Sequence, residues 1–408
     1  MHISSLGWKK PELPDELLFK PIFLKFKTKN IDKNFQGTTP PTVFIGSKLT
    51  YPQMNVGILS PLSKEENPSN YDNPSLWYQS KIPVNKIVEY RTSLMNSRFK
   101  TTAYDVRKSN KLIELSQEVA MSLKPANIEF KLKKKPSFKV QFNETALPFG
   151  PTASLESARP SENIKIPTKI DKITSDTDLK ATNAIQTLTE KGYNEHQVSQ
   201  ILSVGVLGLK QNRKLVPTRF SITATDDTLS KQQLVKIRYN EPIHNYRLYY
   251  GEYLGNHFFI LMFPNVWAYE LFEMYMPDNV ITNEKLPYTT DYELFKGRKN
   301  YAENCVGGYY ASRLAVTEHL YNRELQSSTL ALRFITSAYT AHLGVFVVRQ
   351  ATRAALENKP LEFNNKKDML SFIRSFVLKK FKYNITKTLP DSKVLNYIGT
   401  QTSLREFI

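Results

Sequence analysis

Between residues 37 and 61 the chain is punctuated so densely that no helix fits. Pro40-Pro41, Gly46, Pro52, Gly57 and Pro61 bracket the apolar runs Val43-Phe44-Ile45 and Val56-Gly57-Ile58-Leu59. Short apolar runs flanked by Pro and Gly are the pattern of strands joined by tight turns, so a small β unit is expected here. Tyr51, the aromatic of one turn, either faces a ligand or packs. The pattern then changes. Leu112, Leu115 and Val119 follow a helical period, and Ala181, Ala184, Ile185 and Leu188 fall at i, i+3, i+4 and i+7, with Gly192 able to end that helix. Asn194 and Gln197 read as the capping box of a further helix through Val198, Ile201 and Leu202. Strands return at 246–250 and 257–263 around a hairpin loop at 251–256. Residues 265–272 read as an amphipathic helix, 345–348 as a buried strand, and 349–356 and 368–381 as helices. The expectation is a mixed α/β (α+β) protein, with several short β-hairpins and packed helices around a central strand-containing unit.

The 408 residues exceed one ordinary domain. Residues 1–142 are expected to form a β-rich N-terminal unit. A stretch rich in Pro, Ser, Thr, Ala and Asn, 143–170, reads as a connecting loop. Residues 171–395 then form the main α/β domain, and 396–408 a flexible tail. No 18-residue apolar run is present, so a soluble intracellular protein is expected, with no membrane partner.

A formal charge of +18 is the footprint of a protein that meets phosphates. Lys131, Lys133, Lys134, Lys135 and Lys139 alternate with apolar residues around Pro136-Ser137. This suggests a hairpin, residues 130–140, whose lysines track a DNA backbone. Its alternative is an edge strand guarded by lysines against aggregation. One cysteine, Cys305, excludes a cysteine zinc cluster, and the six scattered histidines lack metal-ligand spacing, so no zinc is expected.

The stretch 212–227, N-R-K-L-V-P-T-R-F-S-I-T-A-T-D-D, gathers cations, hydroxyls and carboxylates around a short run. Phe220 and Ile222 alternate with Ser221 and Thr223, the period of a strand with chemistry at its ends. A half-buried strand with solvated charges is the bland reading. Arg213, Lys214 and Arg219 are candidates to hold phosphate, with Ser221 and Thr223 orienting the ligand. A second polar concentration, 291–313, carries Arg298, Gly307-Gly308, Tyr309-Tyr310 and Arg313. Its glycines precede a helical pattern and admit an anion at the helix start, or serve close packing, while either tyrosine would stack on a base. Arg219 is expected to meet this second segment in one pocket. Asp226 and Asp227 are candidate catalytic ligands of a divalent metal, provided the backbone turns there, because adjacent side chains on an extended strand point oppositely.

These stretches, with 37–61, 202–227, 297–314, 344–349 and the terminal 401–407, resemble the archaeal Nre family of DNA-repair-associated proteins over nearly the whole length. The resemblance implies a cytoplasmic archaeal protein acting in DNA damage repair that docks on the sliding clamp PCNA through its C-terminus. Many relatives carry an N-terminal cysteine zinc finger, and this chain starts without one. The tail Q-T-S-L-R-E-F-I fits the clamp-binding pattern Q-x-x-[LIM]-x-x-F. Leu404 and Phe407 stack on one side of a 3₁₀ turn, with Gln401 beside them and Ile408 where a second aromatic is usual. Its alternative is a terminal helix docked on its own body. Three functions follow: a clamp-tethered factor that binds nucleic acid or a nucleotide, a metal-dependent phosphoesterase or nuclease, and a non-catalytic adaptor. A cofactor is not identified, and a divalent metal enters under the second alone.

Overall fold

The computed structural model describes residues 32–136, 146–277 and 285–400. Two six-stranded sheets organise them. The first contains β1 (Asn34–Thr39), β2 (Val43–Ile45), β3 (Gln53–Ser60), β4 (Met95–Thr102), β5 (Ala126–Leu132) and β6 (Thr152–Pro160), in the order β1-β5-β6-β4-β3-β2. Its pairings are antiparallel except β4 with β6. The punctuated stretch 37–61 supplies β2, β3 and the second half of β1, as tight Pro and Gly turns require. Helices α1 (Pro74–Gln79), α2 (Val84–Thr92) and α3 (Lys111–Met121) fill the connections. After β6 come α4 (Thr168–Ser175), α5 (Ala181–Glu190) and α6 (Glu195–Ser203). On β5, Ala126, Ile128, Phe130 and Leu132 are buried while Asn127, Glu129 and Lys131 face outward. That inner face packs with Val119 of α3, Ile170 of α4, Ile185 of α5 and Ile201 of α6. The capping box of α6 is present, with the side chains of Asn194 and Gln197 reciprocally bonded to backbone.

Two expectations for this region are corrected. The stretch 143–170 is not a connecting loop, because it contains β6 and the start of α4, both part of the first core. The lysine-bearing hairpin, residues 130–140, lies partly outside the described residues; its described strand, β5, ends at Leu132 and lies between β1 and β6, so it is not an edge strand. Its pattern pairs with segments distant in sequence, which a local reading does not see. Lys133, Lys134 and Lys135 are exposed after it, and Lys139 lies outside the described residues.

A long helix, α7 (Thr218–Ile237), links the two halves: its Leu229 joins the first core, its Leu234 and Ile237 the second. After β7 (Glu241–Pro242) come β8 (Tyr246–Tyr253), β9 (Asn256–Phe263), β10 (Ala268–Tyr275) and β11 (Tyr288–Glu293). They are followed by α8 (Val306–Tyr321), β12 (Leu325–Gln326), β13 (Ser328–Ile335), α9 (Phe346–Glu357), β14 (Leu361–Phe363), α10 (Lys366–Phe381) and α11 (Lys393–Thr400). The second sheet has the order β11-β10-β13-β9-β8-β14, with β10 and β13 parallel. Tyr269 and Leu271 of β10 face a core with α8 and α9, while Phe272 and Met274 face α10 and α11.

Burial on both faces explains two further corrections. Residues 265–272 are not a helix but lead into β10, whose two-sided apolar coverage erases the alternation that marks a strand. Residues 345–348 are not a strand but open α9, because a short run of Val and Phe does not distinguish a buried helix turn from a buried strand. Residues 396–400 belong to α11 rather than to a tail. Gln401, Leu404, Phe407 and Ile408 lie outside the described residues. Among the described residues no helix is long and apolar enough to cross a membrane.

Candidate nucleic-acid interface

The stretch 218–227 is helical, not a strand. Its hydroxyls mislead because they face inward: Ser221, Thr223, Thr225 and Ser230 are buried, while Phe220 is 40% exposed. Buried hydroxyls are tolerated because they bond back to helix carbonyls, Ser221 to Thr218 at 2.9 Å and Ser230 to Asp226 at 2.8 Å. α8 meets α7 with polar side chains, Arg313 donating to Ser230 at 3.1 Å and Thr317 to Gln233 at 2.6 Å.

Charged groups follow between the helices. Arg313 of α8, almost fully buried, donates to Glu293 at 2.7 Å, to Ser230 at 3.1 Å and to Asp227, and lies over the rings of Tyr309 and Tyr310. Asp227 also pairs with Lys231 at 2.6 Å. Arg349 of α9 holds both oxygens of the fully buried Asp226, at 2.8 and 2.6 Å. Glu195 binds Arg349 and Arg353, which reaches on to Glu318. Burial would raise Glu195, but Arg353 and Arg349 hold it well below the ordinary carboxylate range. For Asp226 burial prevails over Arg349, and its carboxyl is pushed up to about 6. Adjacent aspartates on a helix point about 100° apart, and here each meets its own arginine, so the paired metal ligation expected of them is corrected. Among the described residues no cluster of histidine, cysteine and carboxylate suits a metal ion.

The other candidates separate into four groups. Arg213 is tied to backbone, donating to the carbonyls of Gly208 and Asp176. Arg298 likewise braces its own loop through Asp291 and the carbonyls of Tyr292 and Tyr301. Tyr309 and Tyr310 are buried, Tyr309 bonded to Glu293, so neither offers a ring face to a base. Gly307 and Gly308 line a cleft on the far side of the α8 start. Lys214 and Arg219 remain on the surface.

Around those two cations lies a band of exposed rings. The Arg219 guanidinium sits 4.4 Å from the Phe220 ring centroid. Tyr301, 41% exposed, lies close enough to Thr223 and Arg219 to feel their hydroxyl and charge, bringing the second polar segment beside the first. The first sheet docks here too: Leu215 donates to the Ala103 carbonyl, Arg107 to that of Arg213, and the Ile45 amide to Thr218. That docking sets exposed Tyr104, with Arg107 5.0 Å from its ring, and exposed Tyr51, edge-on to Tyr104, at the same end of α7. At the other end Arg238 lies 5.9 Å from the Phe295 ring, and Lys296 and Lys299 are exposed between. Sequence reading missed Tyr104 and Arg107, whose place depends on contacts spanning over a hundred residues.

Residues 19–282 match the model of the archaeal Nre N-terminal region and residues 293–407 that of the archaeal Nre C-terminal region. Both matched regions contribute strands to the second sheet. The chain is similar to DNA repair protein NreA of Haloferax volcanii, 33% identical over 329 residues that cover 79% of this chain and 78% of that one. It is also similar to DNA repair protein NreB of Archaeoglobus fulgidus, 34% identical over 346 residues covering 84% and 85% of the two chains. No solved structure matches. On two family matches that together span most of its length, the chain belongs to the archaeal Nre family.

Proposed function

We propose that this protein acts in DNA repair by holding nucleic acid along the band beside α7 and docking on PCNA through its C-terminal tail. The repair role is drawn from its relatives, which carry the name of DNA repair proteins. The observation that carries the nucleic-acid reading is the Arg219 and Phe220 pair with Tyr301 beside it: exposed rings and guanidinium planes accept stacked bases, and the surrounding lysines meet phosphates. The clamp reading rests on the Q-x-x-L-x-x-F spacing of Gln401, Leu404 and Phe407, which follows the last described helix directly. A phosphoesterase built on Asp226 and Asp227 is disfavoured, because arginines already occupy both carboxylates.

The test is fluorescence anisotropy with single-stranded DNA. Arg219→Ala and Phe220→Ala each weaken binding by about tenfold, the usual scale for losing one stacked base, while the melting temperature stays near that of the wild type. Wild-type affinity in both variants overturns the assignment. A large loss of stability with intact binding assigns them a structural role instead.

A further inference from the structure

We infer that the cleft beneath the start of α8 receives a nucleobase, either from a free nucleotide or from a base turned out of a DNA strand. The cleft holds about 850 Å³ of space between its walls, a volume that counts the open solvent at its mouth. It lies at the C-terminal ends of the parallel strands β10 and β13, on the face covered by α8 and α9, the usual place of ligand crevices in α/β sheets. Glu273 and Arg333, direct partners in that register, line it together.

The chemistry of this pair selects the ligand. Arg333 gives one nitrogen to Glu273 at 2.5 Å and two to Asn256 at 2.9 and 2.6 Å, so it is anchored by protein acceptors. A carboxylate accepts about four hydrogen bonds, so Glu273 keeps acceptor capacity beyond Arg333. Gly308 is needed beside it, since a Cβ there would lie 2.7 Å from Glu273 Oε1. The walls add the rings of Tyr275, Tyr288 and Tyr339. Acceptor capacity between aromatic walls suits a planar heterocycle with N–H donors. An organic cation fits less well, because Arg333 already balances Glu273 and the starts of both α8 and α9 border the cleft with positive dipole ends. Burial pushes the neighbouring Cys305 thiol up, so no thiolate stands in the cleft.

The free-nucleotide arm stands independently of the α7 band, whereas the DNA arm rests on the function proposed above. Calorimetry with the full chain and each of the four nucleoside monophosphates tests the first arm. Single-stranded DNA with one 2-aminopurine, compared with oligothymidine, tests the second. Binding of at least one monophosphate tighter than about 1 mM, or a 2-aminopurine fluorescence change on complex formation, supports the inference if Glu273→Gln reduces it about tenfold or more. Thr289→Trp, which stands opposite Glu273 in the β10–β11 register and fills the cleft with an uncharged ring, should abolish the same signal. Neither variant should alter oligothymidine binding, which reports the band. Absence of both signals, or signals indifferent to both variants in folded protein, overturns the inference. Absence of oligothymidine binding by the wild type, with intact monophosphate binding, would instead contradict the function proposed above.

Discussion

Asp226 and Asp227 differ by one position yet serve different arginines on different helices, and that division ties α7 to α8 and α9. Removing one partner of a buried pair leaves an uncompensated charge. Arg349→Ala should therefore cost about 3–5 kcal/mol, and denaturant titration checks it. A loss under about 1 kcal/mol would show that Asp226 finds another partner or its proton. The pH dependence has its own sign. Burial raises the Asp226 carboxyl from the ordinary 3.8 to about 6, so the folded protein keeps a proton that the unfolded chain releases. Its contribution falls as pH rises from about 4 to about 6 and stays lower above. The Asp226→Asn variant should lack this trend, so the wild-type melting temperature should fall relative to the variant across that window. Glu195 acts oppositely and below its ordinary range, where its depressed carboxyl loses stability only on stronger acidification. A constant difference between pH 4 and 7 would show that Asp226 does not titrate there.

Elements whose faces differ in polarity were legible in the sequence. The α6 capping box, the α5 stripe and the hairpin of β8 and β9 stand where the sequence put them: α5 sets an apolar face against a polar one, α6 is marked by its cap, and the hairpin by its Gly-bearing turn although β9 is buried on both faces. α7 was not legible as a helix. Over its first half the packed face is made of Ser, Thr and Asp and the exposed face carries Phe220, so a reading by polarity turns it inside out. β10 and the first turn of α9 failed for the complementary reason, since burial on every side removes the contrast that reveals the period. The recognition chemistry in 212–220 and 298–313 was visible as composition, but which cations stay free depends on tertiary partners. Beyond α11 the tail motif makes an element-level prediction. Truncation after Thr400 should abolish binding to PCNA in surface plasmon resonance and leave the melting temperature unchanged. Full clamp affinity in the Leu404→Ala, Phe407→Ala double variant would remove the motif from the account.

At the scale of the molecule, the charge of +18 is distributed over two sheets joined through α7. That helix is 20 residues long, about 30 Å. Its length, with the first-sheet turn at one end and the 295–301 segment beside it, sets exposed cations and rings along the band proposed to hold nucleic acid. Docking the tail on a clamp that encircles DNA would hold this track near its substrate and raise its effective concentration. The cleft at β10 and β13 lies on the other side of the α8 start, so backbone tracking and base capture are separable by mutation.

The most direct test of this account is the salt dependence of single-stranded DNA binding, measured by anisotropy for the wild type and for a Lys214→Ala, Arg219→Ala, Lys299→Ala variant. Each phosphate contact contributes about 0.7 to the slope of log affinity against log salt on single strands. The variant should bind more weakly at low salt, with a slope shallower by about 1.4 for its two lysine contacts and an unchanged melting temperature. A variant that keeps the wild-type slope and affinity would contradict the band as the site of nucleic-acid binding.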